Sequence, residues 1–547
     1  MDVMTLQEYA ALSPFEIKDF LIKAALRKAD ETSISFINAG RGNPNWIATV
    51  PRDAFFLLGQ FAMTESRRVM DLPPGIGGMP KAKDIAVRLK SWLADRGAAP
   101  GAEFLRELVP WAVEKFSFAE DDFVHELVDS IVGDNYPVPD RMLRHAEQIV
   151  HEYLEWAMCG EPRPEGGFKL YAVEGGTAAM CYIFKTLKTN RLLNEGDRIA
   201  LSVPIFTPYL EMPVLEDYGL DVTMIHSVQE NRFQVGDDLE KLLDPSIKAF
   251  FVVNPGNPSA MALSEETIGR IGKILEKRPD LILLTDDVYG TFVPGFRSLM
   301  GAFPRNTIGV YSFSKYFGST GWRLGVIAVH EDNLLDELIA KHPEPVLKAI
   351  DKRYHTLTLE PRKLSFIDRI VADSRDVALN HTAGLSLPQQ VMMTLFSLSE
   401  LMDEKKNYQK ACIGIVKKRV QATLEGLDLT LPPNEFFDYY YGLIDFEFFA
   451  RKHLGEDIVN WMKENVHPLD IVFRLAEDHG IVLLNGSGFA APDWSVRISF
   501  ANLDDHVYDD IGRAVRAIAR GYRRAYEASK ANGGAASGRK EPALAKP

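Results

Sequence analysis

A chain of 547 residues is too long for one hydrophobic core, so two or more lobes are expected, and its 46% hydrophobic and 25% charged content is that of an ordinary globular protein. The formal net charge of −14 argues against nucleic acid as the main partner and leaves any anionic ligand to be held by a local basic cluster. No apolar run approaches the roughly 20 residues of a membrane helix, which excludes a membrane-spanning reading.

The N-terminus, Met-Asp-Val-Met-Thr-Leu-Gln-Glu, lacks the basic and apolar regions of a signal peptide. Cys159, Cys181 and Cys412 lie far apart without metal-ligand spacing and read as reduced core residues of a cytoplasmic protein with no metal site. Over 4–30, Leu, Phe and Ile recur among charges at helical spacing, predicting one or two amphipathic helices. The glycines of Ile37-Asn-Ala-Gly-Arg-Gly-Asn-Pro-Asn45 permit close backbone approach to a ligand, or a plain turn before Pro44. Helical patterns fill 53–130, as in Ala54-Phe-Phe-Leu-Leu and Phe104-Leu-Arg-Glu-Leu-Val, with apolar stripes suited to core or subunit contacts. A helix is expected over Arg141–Met158, after the turn that holds Tyr136.

A series of βα units follows. Leu170-Tyr-Ala-Val-Glu-Gly-Gly-Thr-Ala-Ala-Met180 reads as strand, glycine turn and helix start, with the N–H groups of Gly176, Thr177 and Ala178 facing a phosphate. Arg198–Val203 is a strand followed by Pro204-Ile-Phe-Thr-Pro-Tyr209, and Ala249–Val253 is another, ending in Asn254-Pro-Gly-Asn-Pro-Ser259. A third apolar run, Leu281-Ile-Leu-Leu, leads into Asp286 and Tyr289. A carboxylate there sits at a strand's C-terminal end, where α/β proteins bind ligands, although Asp286 alone also reads as a helix N-cap.

The stretch Tyr311-Ser-Phe-Ser-Lys-Tyr-Phe-Gly-Ser-Thr-Gly-Trp-Arg-Leu-Gly325 carries the chemistry. A lysine between buried strands is poorly hydrated, which favours the neutral amine and lets Lys315 form a Schiff base. Ser312 and Arg323 are placed to share one dianionic phosphate, the arginine through a bidentate contact. Farther on, 330–375 is charged and helical, and 391–528 makes a C-terminal lobe containing Tyr441–Phe448, Gly480–Phe489 and Ser495–Ala501 as sheet segments. The tail from Lys530 is Gly/Ala/Ser-rich and expected to be disordered.

Taken together, these segments closely resemble those of fold type I pyridoxal 5′-phosphate (PLP) enzymes, the aspartate aminotransferase superfamily. The resemblance implies an α/β fold with a large domain, its mixed, mostly parallel sheet sandwiched by helices, and a smaller α+β domain made from both chain ends. The boundaries expected are 1–52 for the N-terminal part of the small domain, 53–130 for an inserted helical subdomain, 131–385 for the PLP-binding domain, 386–528 for the rest of the small domain and 529–547 for the tail. It implies that Phe206 stacks on the cofactor ring, that Asn257 and Tyr289 face its phenolic oxygen, and that Asp286 pairs with its ring nitrogen. Arg497 would fork onto the substrate α-carboxylate, Arg41 and Gly42 would lie over the substrate, and Tyr136 would reach the neighbouring subunit's phosphate. Asn380–Gln390 resembles the family's return to the dimer interface.

One departure matters. Aspartate aminotransferases carry an arginine just before that return to hold the distal carboxylate, and here the nearest is Arg375. The length, the helical insertion and Gly-Arg-Gly-Asn-Pro resemble the aspartate β-decarboxylases within the superfamily. The expectation is therefore β-decarboxylation of L-aspartate to L-alanine and CO₂, with minor transamination, in a homodimer at least and a larger assembly (a dodecamer by resemblance) beyond it. An aspartate aminotransferase with extra subdomains is the enzyme alternative, and a PLP-sensing regulator the non-enzyme one.

Overall fold

The computed structural model describes residues 6–31, 35–376 and 384–531. The strands, in chain order, are β1 (Ile37–Asn38), β2 (Asp71–Leu72), β3 (Ile76–Gly77), β4 (Phe168–Val173), β5 (Arg198–Val203), β6 (Asp221–His226) and β7 (Ile247–Val253). They continue as β8 (Ile282–Asp286), β9 (Thr307–Ser312), β10 (Gly325–His330), β11 (Tyr441–Asp445), β12 (Ile481–Val482), β13 (Leu484–Asn485) and β14 (Ser495–Ser499).

One sheet, in the order β4-β10-β9-β8-β7-β5-β6, forms the large lobe. Its strands are parallel except β10, which runs against both neighbours. Helices cover both faces, so central strands such as β8 (Ile-Leu-Leu-Thr-Asp) are buried throughout and read as continuous apolar runs instead of alternating ones. This order brings the C-terminal ends of β4, β5, β7, β8 and β9, and the N-terminal end of the reversed β10, to a single edge of the sheet.

Both chain ends build a second lobe. β1 pairs in parallel with β12, and the helix Pro14–Glu31 packs on Asp470–His479. β11, β14 and β13 form an antiparallel sheet, flanked by the packed helices Asn407–Leu427 and Val507–Ala531. The sequence 53–130 is helical as expected, in Thr49–Val69, Ile85–Ala94, Ala102–Phe116 and Glu120–Val132, with a short β2–β3 hairpin. Two of these helices lie against Leu387–Leu401, so the segment is fused to the body of the protein.

Several expectations are corrected. The helix expected from Arg141 begins at Arg144, because the Arg141 side chain is drawn into ion pairs with Glu147 and Asp368. The strand expected over Tyr441–Phe448 stops at Asp445, whose carboxylate caps the following helix by accepting from the Phe448 N–H at 2.9 Å. Cys181 is exposed on its helix, unlike the buried Cys159 and Cys412, and all three are free thiols. The last helix continues through Lys530 and Ala531. The rest of the expected tail, and Asn380–Ala383 of the interface segment, lie outside the described residues. No described helix is long and apolar enough to cross a membrane.

Candidate active site

A cavity of about 180 Å³ opens at the sheet edge where the strand ends converge. β4 delivers the turn Gly175–Gly176 and the helix Gly176–Thr189, and Gly176 and Thr177 line the cavity. Gly175 has φ of +96°, and a Cβ there would collide with the Arg323 guanidinium, so only glycine lets that arginine lie against the turn. Arg323 is exposed and donates to the carbonyls of Thr320 (3.0 Å) and Glu174 (3.1 Å), which aims its charge at the N-terminus of the same helix. Ser312, at the end of β9, completes this corner and donates to Ser314 Oγ at 2.9 Å. A helix N-terminus, an arginine and two hydroxyls form a cradle for a phosphate-sized anion.

Across the cavity, Asp286 ends β8 and is buried. Its Oδ2 accepts from the Tyr209 hydroxyl at 2.6 Å and its Oδ1 from the Val288 N–H at 3.2 Å. Burial pushes its carboxyl above the usual range, against the lowering effect of those hydrogen bonds and of the Lys315 charge. Phe206 lines the cavity next to Tyr209, their ring centroids 5.4 Å apart. Asn257 and Tyr289 line it from the loops after β7 and β8.

Lys315 donates from Nζ to the Gly42 carbonyl at 2.9 Å, and Tyr440 donates to the same oxygen at 2.8 Å. Arg497, on β14, is 2% exposed. It donates from Nη1 to Asn257 Oδ1 at 3.3 Å and from Nη2 to the Gly40 carbonyl at 2.9 Å. Both partners are neutral, and its Nε is buried without one. The guanidinium lies over the rings of Tyr441 and Phe489, at 4.5 and 5.0 Å from their centroids. A buried, incompletely satisfied guanidinium beside a cavity is built to receive a carboxylate.

Five of the expected residues are not among those lining the cavity, Gly42 and Arg497 reaching it through their contacts with Lys315 and Asn257. Ala178 lies in the first turn of its helix, one position beyond the lining Thr177. Arg41 is exposed beside Gly42, and Tyr136 is 76% exposed. Arg375 is occupied by Asp140 at 2.9 Å. In turn, Tyr209, Ser314, Thr320 and Tyr441 line the cavity without having been singled out by the sequence. Tyr209 follows Phe206 at a spacing of three and so had a local signal, whereas Tyr441 had only strand alternation.

Residues 172–518 match the family model for class I and II aminotransferases. Over 515 residues, 93% of this chain and 96% of the relative, the sequence is 48% identical to a bifunctional aspartate aminotransferase and L-aspartate beta-decarboxylase from a Pseudomonas species. A probable aspartate/prephenate aminotransferase from Rhizobium leguminosarum bv. phaseoli is 25% identical over 59% of this chain and 71% of its own. Among solved structures, the Thermus thermophilus aspartate aminotransferase with maleate superposes with a TM-score of 0.55 at 16% identity, covering 95% of this chain and 100% of that one. Bna3p of Saccharomyces cerevisiae, a putative kynurenine aminotransferase by its title, gives the same score, identity and coverage. The family match over most of the chain and the 48% identity over nearly its whole length lead to one conclusion: the chain belongs to the class I and II aminotransferase family.

Proposed function

We propose that this protein is a PLP-dependent enzyme that removes the β-carboxylate of L-aspartate, yielding L-alanine and CO₂, with aspartate transamination as a second outcome at the same site. The 48% identity along nearly the whole of a bifunctional relative carries this reading. The family is PLP-dependent, and the residues present fit that cofactor. The anion cradle at Gly176, Thr177, Ser312 and Arg323 suits its phosphate, and the buried Asp286 carboxylate suits a protonated ring nitrogen. Ala178, in the first helical turn, adds its N–H to the cradle. Bound PLP would supply an electron sink for the pair released when a bond at Cα or Cβ breaks.

The chain's own groups would do the rest. Lys315 carries the cofactor and, as a free amine, moves the Cα proton of the substrate. Arg497 would hold the α-carboxylate, since only two of its five N–H groups are engaged and its Nε has no partner. Phe206 would support one face of the bound ring, and Asn257 and Tyr289 would serve its phenolic oxygen. Asp286 would keep its negative charge toward a protonated ring nitrogen, because that cation would compensate the burial that otherwise raises its pKa.

Arg41 is the group we assign to orienting the distal carboxylate. It adjoins Gly42, whose carbonyl touches Lys315, whereas Arg375 is neutralised by Asp140. An exposed, solvent-screened guanidinium orients the leaving carboxylate with a weaker hold on its charged ground state than a buried pair would give, which favours decarboxylation. We further propose that the first 52 residues and 386–528 act as one small domain closing on 131–385, with 53–130 as an insertion. Assembly into at least a homodimer is proposed because Tyr136 is too exposed to serve its own cavity, and exposed apolar residues such as Phe56, Met63 and Val138 need cover.

The test is to incubate purified protein with PLP and L-aspartate, without any 2-oxo acid, and follow alanine and CO₂. Many turnovers of both support the proposal. At most one equivalent of oxaloacetate, with turnover restored by 2-oxoglutarate, would reduce the protein to an aminotransferase.

A further inference from the structure

Decarboxylation at Cβ leaves a chemical requirement that none of the residues assigned above meets. When the bond from Cβ to the distal carboxylate breaks, the carboxylate leaves as CO₂ and its electron pair stays with the substrate. A proton must then be added to Cβ, and the net reaction takes that proton from water. Lys315 is committed to the Cα proton, Arg497 to the α-carboxylate and Asp286 to the cofactor ring.

A buried hydroxyl stands on the substrate side of the cavity. Tyr441 is 2% exposed and lines the cavity wall contributed by β11. A methyl group placed on Gly42 would overlap the Tyr441 hydroxyl and lie 3.1 Å from Lys315 Nζ, so phenol and amine converge on the same face of Gly42. The Arg497 guanidinium also lies over the ring, 4.5 Å from its centroid. Tyr441 is therefore a close neighbour both of the group that handles Cα and of the group that grips the α-carboxylate.

The local architecture keeps it there. Asp438 is fully buried and its Oδ1 accepts from the Tyr440 N–H at 2.7 Å, fixing the turn that enters β11. Within that turn Tyr439 takes φ of +60°, an unfavourable conformation for a tyrosine. The hydroxyl of Tyr440 is occupied by the Gly42 carbonyl, so Tyr441 is the neighbour whose proton is available. Burial raises its pKa, but the charges of Lys315 and Arg497 and a hydrogen bond with Tyr289 outweigh that, and the net shift is below the ordinary tyrosine value. The groups facing it are thus two cations, the phenols of Tyr289 and Tyr440, and the Asp438 carboxyl, whose charge opposes the lowering.

We propose that Tyr441 is the general acid that protonates Cβ after CO₂ has left. The Tyr441 O–H bond breaks as the new Cβ–H bond forms, and the phenolate left behind is stabilised by the adjacent Arg497 charge until it recovers a proton from water. A phenol acidified in this way is a competent donor to carbon, and loss of a positioned acid typically costs 10²–10⁴-fold, on the order of 100-fold at least. This inference rests on the decarboxylase reading.

The experiment compares wild type with Tyr441→Phe, which keeps the ring and removes only the hydroxyl. With L-aspartate and PLP, the variant is expected to release one equivalent of CO₂ per site in a burst. Behind that burst, its steady-state rate of alanine formation should fall about 100-fold. In the cofactor-free protein, near-ultraviolet titration should lose one tyrosinate step that lies below the ordinary tyrosine range, and Lys315→Met should move that step upward. An unchanged steady-state rate of alanine formation with no CO₂ burst, or an unchanged tyrosinate titration in Tyr441→Phe, would overturn the assignment. Absence of CO₂ from the wild type would instead overturn the decarboxylase reading, with the titration still reporting whether the Tyr441–Lys315 pair exists.

Discussion

Lys315 and Gly42 meet at 2.9 Å although 273 positions separate them in the chain. The amine of the large lobe is held by a backbone carbonyl of the N-terminal segment, with Tyr440 bound to the same oxygen. A side chain at position 42 would intrude on both Lys315 and Tyr441. Gly42→Ala is therefore expected to lower kcat for aspartate by about 100-fold, because small misplacements of reacting groups cost that much. The melting temperature should change little, and a large fall in it would mean that Gly42 serves the fold instead.

Arg497→Lys keeps the charge but cannot reach Gly40, Asn257 and a carboxylate together. Losing a charge-assisted hydrogen bond or two corresponds to about 3 kcal/mol, or roughly 100-fold in kcat/KM for aspartate. Steady-state kinetics should place most of this in KM.

The two remaining candidates for the distal carboxylate separate cleanly. Arg41→Ala is expected to raise KM for aspartate by at least about tenfold, one lost charged contact being worth about 1.5 kcal/mol. Arg375→Ala breaks a pair whose Asp140 partner is largely exposed, so KM should stay within about twofold. The opposite ranking would transfer the role to Arg375.

Asp286→Asn should divide function from stability. Without a negative charge opposite the ring nitrogen, PLP affinity and turnover are both expected to fall, turnover by on the order of 100-fold. The folded protein raises the Asp286 pKa, so this carboxylate contributes stability at low pH that is lost as pH rises through its folded value. The cofactor-free variant should therefore melt higher than wild type at pH 8, and cofactor titration by absorbance together with thermal melting reads both effects.

Glu400 supplies a pH dependence remote from substrate. It is buried against Tyr316, the residue after Lys315, and accepts its hydroxyl proton at 2.7 Å. Burial raises its pKa from 4.5 to about 7, with Asp403 adding to the rise and the Tyr316 hydrogen bond opposing it. The native state therefore binds the proton more tightly, and this contribution is lost between about pH 4.5 and 7. Glu400→Gln still accepts from Tyr316 and is expected to gain about 3 kcal/mol over wild type at pH 8, with little difference at pH 4.5. Unfolding midpoints in denaturant at the two pH values would check it.

Sequence legibility followed how local each signal is. Asp286 and Ser312 end continuous apolar runs and Lys315 follows three residues on, and in this sheet those strand ends share one edge. Gly176 and Thr177 are a weak signal alone, as is Asp286, and were readable through their order and spacing with the lysine segment. Tyr441 was not, since its importance comes from pairing β11 with β14 and from the approach of Gly42, contacts that span hundreds of residues. The same holds for Arg141, whose engagement by Asp368 delays a helix that local periodicity starts earlier, and for Cys181, whose exposure depends on which helix face the sheet covers.

The β1–β12 pairing has a consequence for how this protein can be cut or lengthened. The span matched by the family model begins at 172, so it contains Lys315 and Arg497 yet omits the carbonyls of Gly40 and Gly42 that restrain them. Residues 37–45 behave as a clasp that is sequence-distant but structurally internal. Trimming the chain past Ile37 would release the clasp and dismantle the site from the far end. The smallest functional unit therefore reaches well upstream of the family match, and a fragment chosen by the borders of that match would retain its reactive lysine and lose the means to aim it.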